Sequence, residues 1–269
     1  MAINALQSAS SALSALSTGL DVIANNLANV NTQGYKASRA NFQDLLYIEK
    51  AQPGVENANG DQRPTGLYVG LGTKVSGTQL DFTQGAPIPT DRELDLLIDG
   101  AGFFQVSVED DRAEGGVAYT RAGNFTLNSD GQIVLANDQG RILDPEITVP
   151  DEAVGIQVLA SGEVYAIFDS DADPSLIGTI ELAGFINPAG LKQLGENLYG
   201  ETEASGPPLV GEPAQGGLGI IQQGFLENSN VDPTLELIQL IKTQRAFEMN
   251  SQSIRAADEV LQTVTQLRR

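Results

Sequence analysis

The chain of 269 residues has no cysteine and no histidine. Without cysteine there is neither a disulfide framework nor a thiolate metal site. Without histidine there are no Ser-His or Cys-His nucleophilic pairs, and the commonest zinc ligands are missing. Only carboxylate chemistry stays open to an enzyme. Long apolar runs are absent too, since none approaches the ~18 residues needed to span a bilayer. No basic residue precedes Lys36 and no continuous apolar block opens the chain, so a secretory signal peptide of the usual kind is not expected. The default would then be the cytoplasm, unless export takes another route.

Positive charge is scarce. Fifteen bases stand against 35 acids, a net charge of −20 that argues against nucleic acid as a partner. The imbalance is local. Residues 1–45 carry Asp21 and Asp44 against Lys36 and Arg39, and residues 226–269 are net −1, which leaves −19 for the middle. Neutral ends do not repel when many copies are brought together, whereas a charged middle keeps the chain soluble.

Helix signals occupy those neutral ends. Leu6, Leu13, Leu20 and Leu27 recur every seven residues, with Ala9, Leu16, Ile23 and Val30 at the complementary positions. This is an a/d seam over four heptads and predicts a helix from Ala2 to about Val30, with Gly34 as its stop. Near the other end Asp232-Pro233 is a start signal, and Leu240, Phe247, Ile254 and Leu261 again fall seven apart beside Ala257 and Val264. A straight helix from Pro233 to Leu267 would extend roughly 50 Å and needs a partner, for which the first helix is the candidate.

Between the helices the pattern changes. Residues 51–66, "AQPGVENANGDQRPTG", read as connector or loop. "IQVLASGEVYAIF" is a hairpin turning at Ser161-Gly162, and "NFTLNSDGQIVL" is another around Asp130-Gly131. "ELDLLIDGAGFFQVSVE" and "LIGTIELAGFI" supply further strands. The expected fold is α+β: a discontinuous terminal α-helical coiled-coil domain (1–35 and 228–269), an extended connector region (36–85 and 215–227) and a central antiparallel β-rich domain (86–214).

Most chemistry-bearing patterns fail inspection. Asp169, Asp171 and Asp173 alternate like the start of a calcium loop, but the positions for the glycine and the bidentate glutamate hold Pro174 and Ile180. The glycine-rich "GLYVGLG" and "GGLG" match no phosphate-binding fingerprint. No carboxylate pair is singled out by spacing, so a glycan hydrolase is a rival reading without a named site. No catalytic residue, metal or cofactor is expected. A soluble binding module is the other rival.

One pattern resists a dull reading. Asn25, Asn26, Asn29 and Asn31 sit where a water-facing helix would carry Glu and Lys, and Asp21 is the only charge before Lys36. A solvated face is one account. A packed face, whose buried amides must be paired and so set register with a neighbour, is the favoured one. The candidate assembly interface is therefore Leu6, Leu13, Leu16, Leu20, Ile23, Asn25, Asn26, Leu27, Asn29 and Val30, with Leu240, Phe247, Ile254, Leu261 and Val264.

Several blocks bear a family likeness. "ANNLANVNTQGYK" (24–36) resembles the N-terminal signature of flagellar axial proteins of the rod and hook class. "GFFQV" (102–106), "AYTRAGNF" (118–125) and "GENLY" (195–199) followed by Ser205-Gly206 are similar to its central domain, and "GFLENSNVD" (224–232) and "IKTQRAFEMNS" (241–251) to its C-terminal segment. The stretch "LLYIEKAQPG" (45–54) is similar to one that hook proteins lack and that the class links to a straight, stiff tube, as in its distal-rod members. The chain departs at Ala122, where the class commonly has an acid, and in its acidic middle.

The resemblance implies a structural subunit rather than an enzyme. Copies would stack into a helical homopolymer, a hollow shaft that carries torque to the hook and encloses an export channel. The implied partners are the chain itself, proximal rod proteins, hook protein, the bushing (L and P) ring proteins and the flagellar type III export apparatus. The implied place is the basal body, in a rod crossing the periplasm. Another axial protein, proximal rod or hook, is the alternative. The terminal helices, holding more apolar and amide surface than one pair can bury, are expected to be loosely paired in a lone subunit and to order on assembly.

Overall fold

A computed structural model describes residues 2–55, 63–109, 112–168 and 174–267. The acidic run at Asp169, Asp171 and Asp173 lies outside the described residues. The chain divides into two compact units, and each is assembled from separated segments. Unit 1 comprises Met1–Ala28, Ser38–Gln79 and Asp232–Arg269, and unit 2 comprises Asn29–Ala37 and Leu80–Val231.

Unit 1 holds the two helices, α1 (Ala2–Ala28) and α2 (Pro233–Leu267). Between them in sequence come β1 (Ser38–Asp44), β2 (Tyr47–Ala51), β3 (Leu67–Gly70) and β4 (Thr73–Leu80), whose last residue enters unit 2. β1 pairs with β4, and β2 with β3, so much of residues 38–80 is two-stranded ribbon. Helix α2 begins as its sequence signal requires. The Asp232 carboxylate accepts from the backbone N–H of Thr234 at 2.8 Å and of Leu235 at 3.2 Å, and Pro233 follows in the first turn.

Unit 2 is the β-rich part. Its first eight strands are β5 (Pro87–Pro89), β6 (Leu96–Asp99), β7 (Phe103–Ser107), β8 (Val117–Thr120), β9 (Phe125–Leu127), β10 (Ile133–Leu135), β11 (Leu143–Asp144) and β12 (Ala153–Val158). The rest are β13 (Glu163–Phe168), β14 (Ser175–Thr179), β15 (Leu182–Gly184), β16 (Lys192–Gly195), β17 (Leu198–Gly200), β18 (Leu209–Gly211), β19 (Ile220–Gln223) and β20 (Phe225–Glu227). The main sheet has seven strands in the order β16-β17-β8-β7-β15-β18, with β11 also on β7. The expected hairpins form: Val158 faces Val164 across β12–β13, and Ile133 faces Leu127 across β9–β10.

The main sheet is buried on both faces, which explains its near-continuous apolar text. Side chains alternate along a strand. Phe104, Ala118, Leu182 and Leu198 enter one core with Phe125, Ile133 and Ile180, while Phe103, Tyr119, Ala183 and Tyr199 enter a second with Leu80 and Leu191. The second core is aromatic. Phe103 meets Phe82, Phe185 and Tyr199 edge-on, with ring centroids 5.3–6.1 Å apart.

Gly34 is not the stop of α1. The helix ends at Ala28, and Gly34 sits six residues on with φ +67°. A Cβ there would stand 2.6 Å from the backbone nitrogen of Ala122, so the glycine permits close backbone approach.

Burial pushes the Tyr119 phenol from the ordinary 10.0 up to about 12, with Glu201 and Asp144 adding repulsion, and Tyr199 is raised likewise, chiefly by burial. A phenol that ionises later in the fold than in the unfolded chain stabilises fully below about pH 10 and loses that contribution as pH rises toward 12. The near-ultraviolet signal of unit 2 should therefore report falling urea resistance between about pH 10 and 12. A Tyr119→Phe/Tyr199→Phe variant should show a shallower fall, and an equal slope would refute the assignment.

Candidate assembly interface

Helices α1 and α2 run antiparallel. Asn26 of α1 donates to Glu236 near the start of α2 at 3.1 Å, and one helical stretch earlier Gly19 faces Thr243, deeper in α2. A Cβ at Gly19 would lie 3.3 Å from the Phe42 ring on β1, so α1 also packs closely on that ribbon. The residues of α1 buried in unit 1 are small or few: Ala9, Ala15, Gly19, Ile23 and Asn26. The heptad leucines Leu6, Leu13, Leu16, Leu20 and Leu27 are only half-buried, as are Leu240 and Ile254 of α2. Phe247 is exposed, and the side chains of Leu261 and Val264 lie outside the described residues.

The asparagines separate. Asn25 is exposed on α1, whereas Asn29 and Val30 fall in the turn beyond the helix, within unit 2. Asn26 is buried, and its amide is used inside the chain. Its Oδ1 accepts from Ser38 N–H at 2.9 Å and its Nδ2 donates to Ser38 C=O at 2.8 Å. It thus holds the end of α1, the start of β1 and the start of α2 in one geometry. A side-chain amide is the group that can both donate and accept at one backbone residue while keeping a second donor for a carboxylate.

Unit 1 carries many large apolar side chains on its surface among charged ones. Among the described residues its only buried hydrophobic side chains are Ala9, Ala15 and Ile23. Leu46, Tyr47, Leu67 and Tyr68 are exposed on or beside the β2–β3 ribbon. Helix α2 exposes Leu235, Ile238, Met249 and Val260, which share one face at 3.6 residues per turn. That side is opposite the seam of Leu240, Phe247 and Ile254, so α2 carries large apolar side chains on two sides, with Lys242 exposed among the first group.

Unit 2 contains a constellation that heptads and asparagine counts do not point to. Lys36 is completely buried, donating to Glu227 Oε1 at 2.6 Å and to Thr83 C=O at 2.7 Å. Gly85 N–H also donates to Glu227 Oε1, at 2.8 Å. The Arg121 guanidinium stands 3.6 Å from Glu227 Oε2, donates to Gly100 C=O at 2.8 Å and lies over the Phe103 ring. Burial holds both Lys36 and Arg121 below their usual pKa values, with Glu227 opposing the shift. Beside this cluster Asn230 accepts from Ala37 N–H at 2.7 Å and donates to Asp81 C=O at 2.8 Å, stitching three segments together. The available signal was the placement of these residues inside blocks of small polar residues, and no periodicity marks them.

Three protein-family models match the chain: "Flagella basal body rod protein" over residues 6–36, "Flagellar hook protein FlgE/F/G D1 domain" over 97–166, and "Flagellar basal body rod FlgEFG protein C-terminal" over 222–267. Each matched segment supplies one charge of the buried cluster, namely Lys36, Arg121 and Glu227. Proteins named flagellar basal-body rod protein FlgG are similar over nearly their full length. That of Caulobacter vibrioides is 42% identical over 99% of this chain and 100% of the relative. That of Agrobacterium fabrum is 43% identical over 98% of each, and that of Buchnera aphidicola from Acyrthosiphon pisum is 41% identical over 95% of this chain and 96% of the relative. These relatives are rod proteins, not enzymes.

Two substitutions separate the roles. Glu227→Gln leaves two buried cations without a carboxylate and should destabilise unit 2 by about 3–5 kcal/mol. Lys36→Met leaves the Arg121–Glu227 contact and should cost less. The double variant should lose less than the sum in urea unfolding, and strict additivity would show that the two groups do not interact. Asn26→Ala strips partners from Ser38 and should destabilise unit 1 by about 1–3 kcal/mol, whereas Asn25→Ala at an exposed site should change folding little. Hydrogen exchange of residues 5–28 reads the difference, and equal protection in both variants would overturn it.

Proposed function

The chain belongs to the flagellar basal-body rod protein family, and from that premise we propose that it is the repeating subunit of the distal rod. Copies stack helically into a hollow shaft that carries motor torque to the hook and encloses the export channel. The observation that carries this reading is the unfinished state of unit 1, with three buried hydrophobic side chains among the described residues and an α2 that carries large apolar side chains on two sides. Covering one exposed leucine is worth about 1.5–3 kcal/mol, so lateral neighbours would stabilise each subunit substantially.

In this reading residues 1–35 and 228–269 form the inner tube, with heptad seams pairing as a coiled coil. Residues 36–85 and 215–227 connect, and 86–214 stand outside. Torque transmission needs many shear-resistant contacts and no active site. The chain is exported by the flagellar type III route, and the rod crosses the periplasm to meet proximal rod proteins, hook protein and the bushing rings. Unit 1 holds nine bases and ten acids, unit 2 six bases and twenty-five acids. The near-neutral unit is the one that must crowd against copies of itself. The acidic unit faces the bushing ring, where like charge or bound water limits adhesion and permits rotation.

Light scattering and analytical sizing of the purified chain, with and without residues 1–35 and 230–269, test the reading. Polymers should form only when both ends are present, and protection of residues 5–28 against hydrogen exchange should rise on polymerisation. A full chain that stays monomeric, or equal strong protection in monomer and polymer, would count against it.

A further inference from the structure

The chain contains no cysteine, tryptophan or histidine. That leaves the thioethers of methionine as the side chains most reactive toward a peroxide. There are two methionines, Met1 and Met249. Met249 lies in α2, within unit 1, and is 62% exposed. A methionine that fills a core is shielded from solutes, and this one is not.

Its place on α2 decides what oxidation would do. Leu235, Ile238 and Val260 are exposed on the same side of the helix, along with Lys242. Met249 is therefore one of the apolar side chains that a neighbouring copy has to cover. Arg245 is exposed one turn earlier, four residues before it. The Ser253 hydroxyl donates to the Met249 C=O at 3.0 Å within the helix. The backbone here is already satisfied, so a change at the sulfur alters the surface and not the helix. A sulfoxide turns a flexible apolar side chain into a polar one with a new acceptor oxygen. The Arg245 guanidinium is a donor at the spacing that lets side chains one turn apart meet, and it would hold that oxygen at the surface.

We propose that Met249 is an oxidation-sensitive site that gates assembly. A peroxide converts its thioether to the sulfoxide in the free subunit, the polar product keeps a second copy from covering α2, and assembly shields the sulfur. This rests on the rod-subunit reading above. In the step, a sulfur lone pair attacks one oxygen of hydrogen peroxide. The O–O bond breaks, an S–O bond forms, and the proton on the transferred oxygen passes to the departing hydroxide, which leaves as water. Sulfur loses two electrons and the peroxide gains them. Methionine sulfoxide reductase reverses the change.

The test treats the purified full chain with hydrogen peroxide, quenches it, and follows polymerisation by light scattering. Mass spectrometry of the tryptic peptide 246–255 reads the state of Met249. The oxidised chain should polymerise roughly tenfold more slowly, and the reductase should restore the rate. Met249→Leu keeps size and helix propensity and should polymerise equally fast before and after peroxide. That variant retains Met1, so it controls for oxidation there. Met249→Gln should be slow without peroxide, with the circular dichroism of the unaltered chain. Within polymers Met249 should oxidise roughly tenfold more slowly than in the monomer. Undiminished polymerisation of the oxidised chain, equal slowing of Met249→Leu, or equal oxidation in monomer and polymer would each overturn the proposal and leave the rod-subunit reading standing. An untreated chain that never polymerises would overturn both.

Discussion

A single carboxylate, that of Glu227, takes contacts from Lys36, from Arg121 and from the N–H of Gly85 in a place closed to solvent. Those groups come from the first, middle and last parts of the chain. A buried ion cluster adds little net stability compared with an apolar core, because stripping water from charges offsets most of their attraction. What it adds is selectivity: any other pairing of segments would leave a charge buried alone. Lys36 and Glu227 lie close in sequence to two of the four points where the chain passes between units, 37/38 and 231/232. The cluster therefore ties together, within unit 2, the two segments from which the chain leaves it.

The two units differ in what they finish by themselves. Unit 2 has two apolar cores on either side of one antiparallel sheet, and its aromatic layer is packed edge to face. Unit 1 has two long helices and two ribbons whose large apolar side chains are mostly half-buried or exposed. Small residues on α1 allow close approach, and the Asn26 amide locks the geometry where α1, β1 and α2 meet. A unit held by a polar staple and short of apolar burial is suited to be completed by copies of itself. The charge is divided the same way, nearly neutral in unit 1 and strongly negative in unit 2. Repulsion is thus kept from the unit with the apolar surface.

Periodicity was a reliable guide where one face of an element meets one partner. The start of α2 at Pro233, the turn at Ser161-Gly162 and the turn at Asp130-Gly131 are all legible from spacing and turn chemistry. The heptad reading of α1 was less complete. Its seam positions Ala9 and Ile23 are buried, but its leucines are only half-buried and Ala15, Gly19 and Asn26 share the deep positions, because α1 packs on a ribbon as well as on α2. Gly34 looked like a helix stop because glycine after an apolar repeat usually is one. Its reason is the backbone of Ala122, which lies nearly ninety residues away.

The terminal helices, the antiparallel β-rich middle, the absence of thiol and imidazole chemistry, the division of charge and the likeness to rod proteins are all legible in the order of the residues. Each of these follows from local pattern or composition. That Asn26 serves Ser38 and Glu236, that Lys36, Arg121 and Glu227 form one buried cluster, and that β18 is the last strand of the main sheet come from the folded chain alone. These are contacts between residues up to 210 positions apart. No helical or strand period encodes them, because a hydrogen bond between distant segments leaves no spacing in the chain to read.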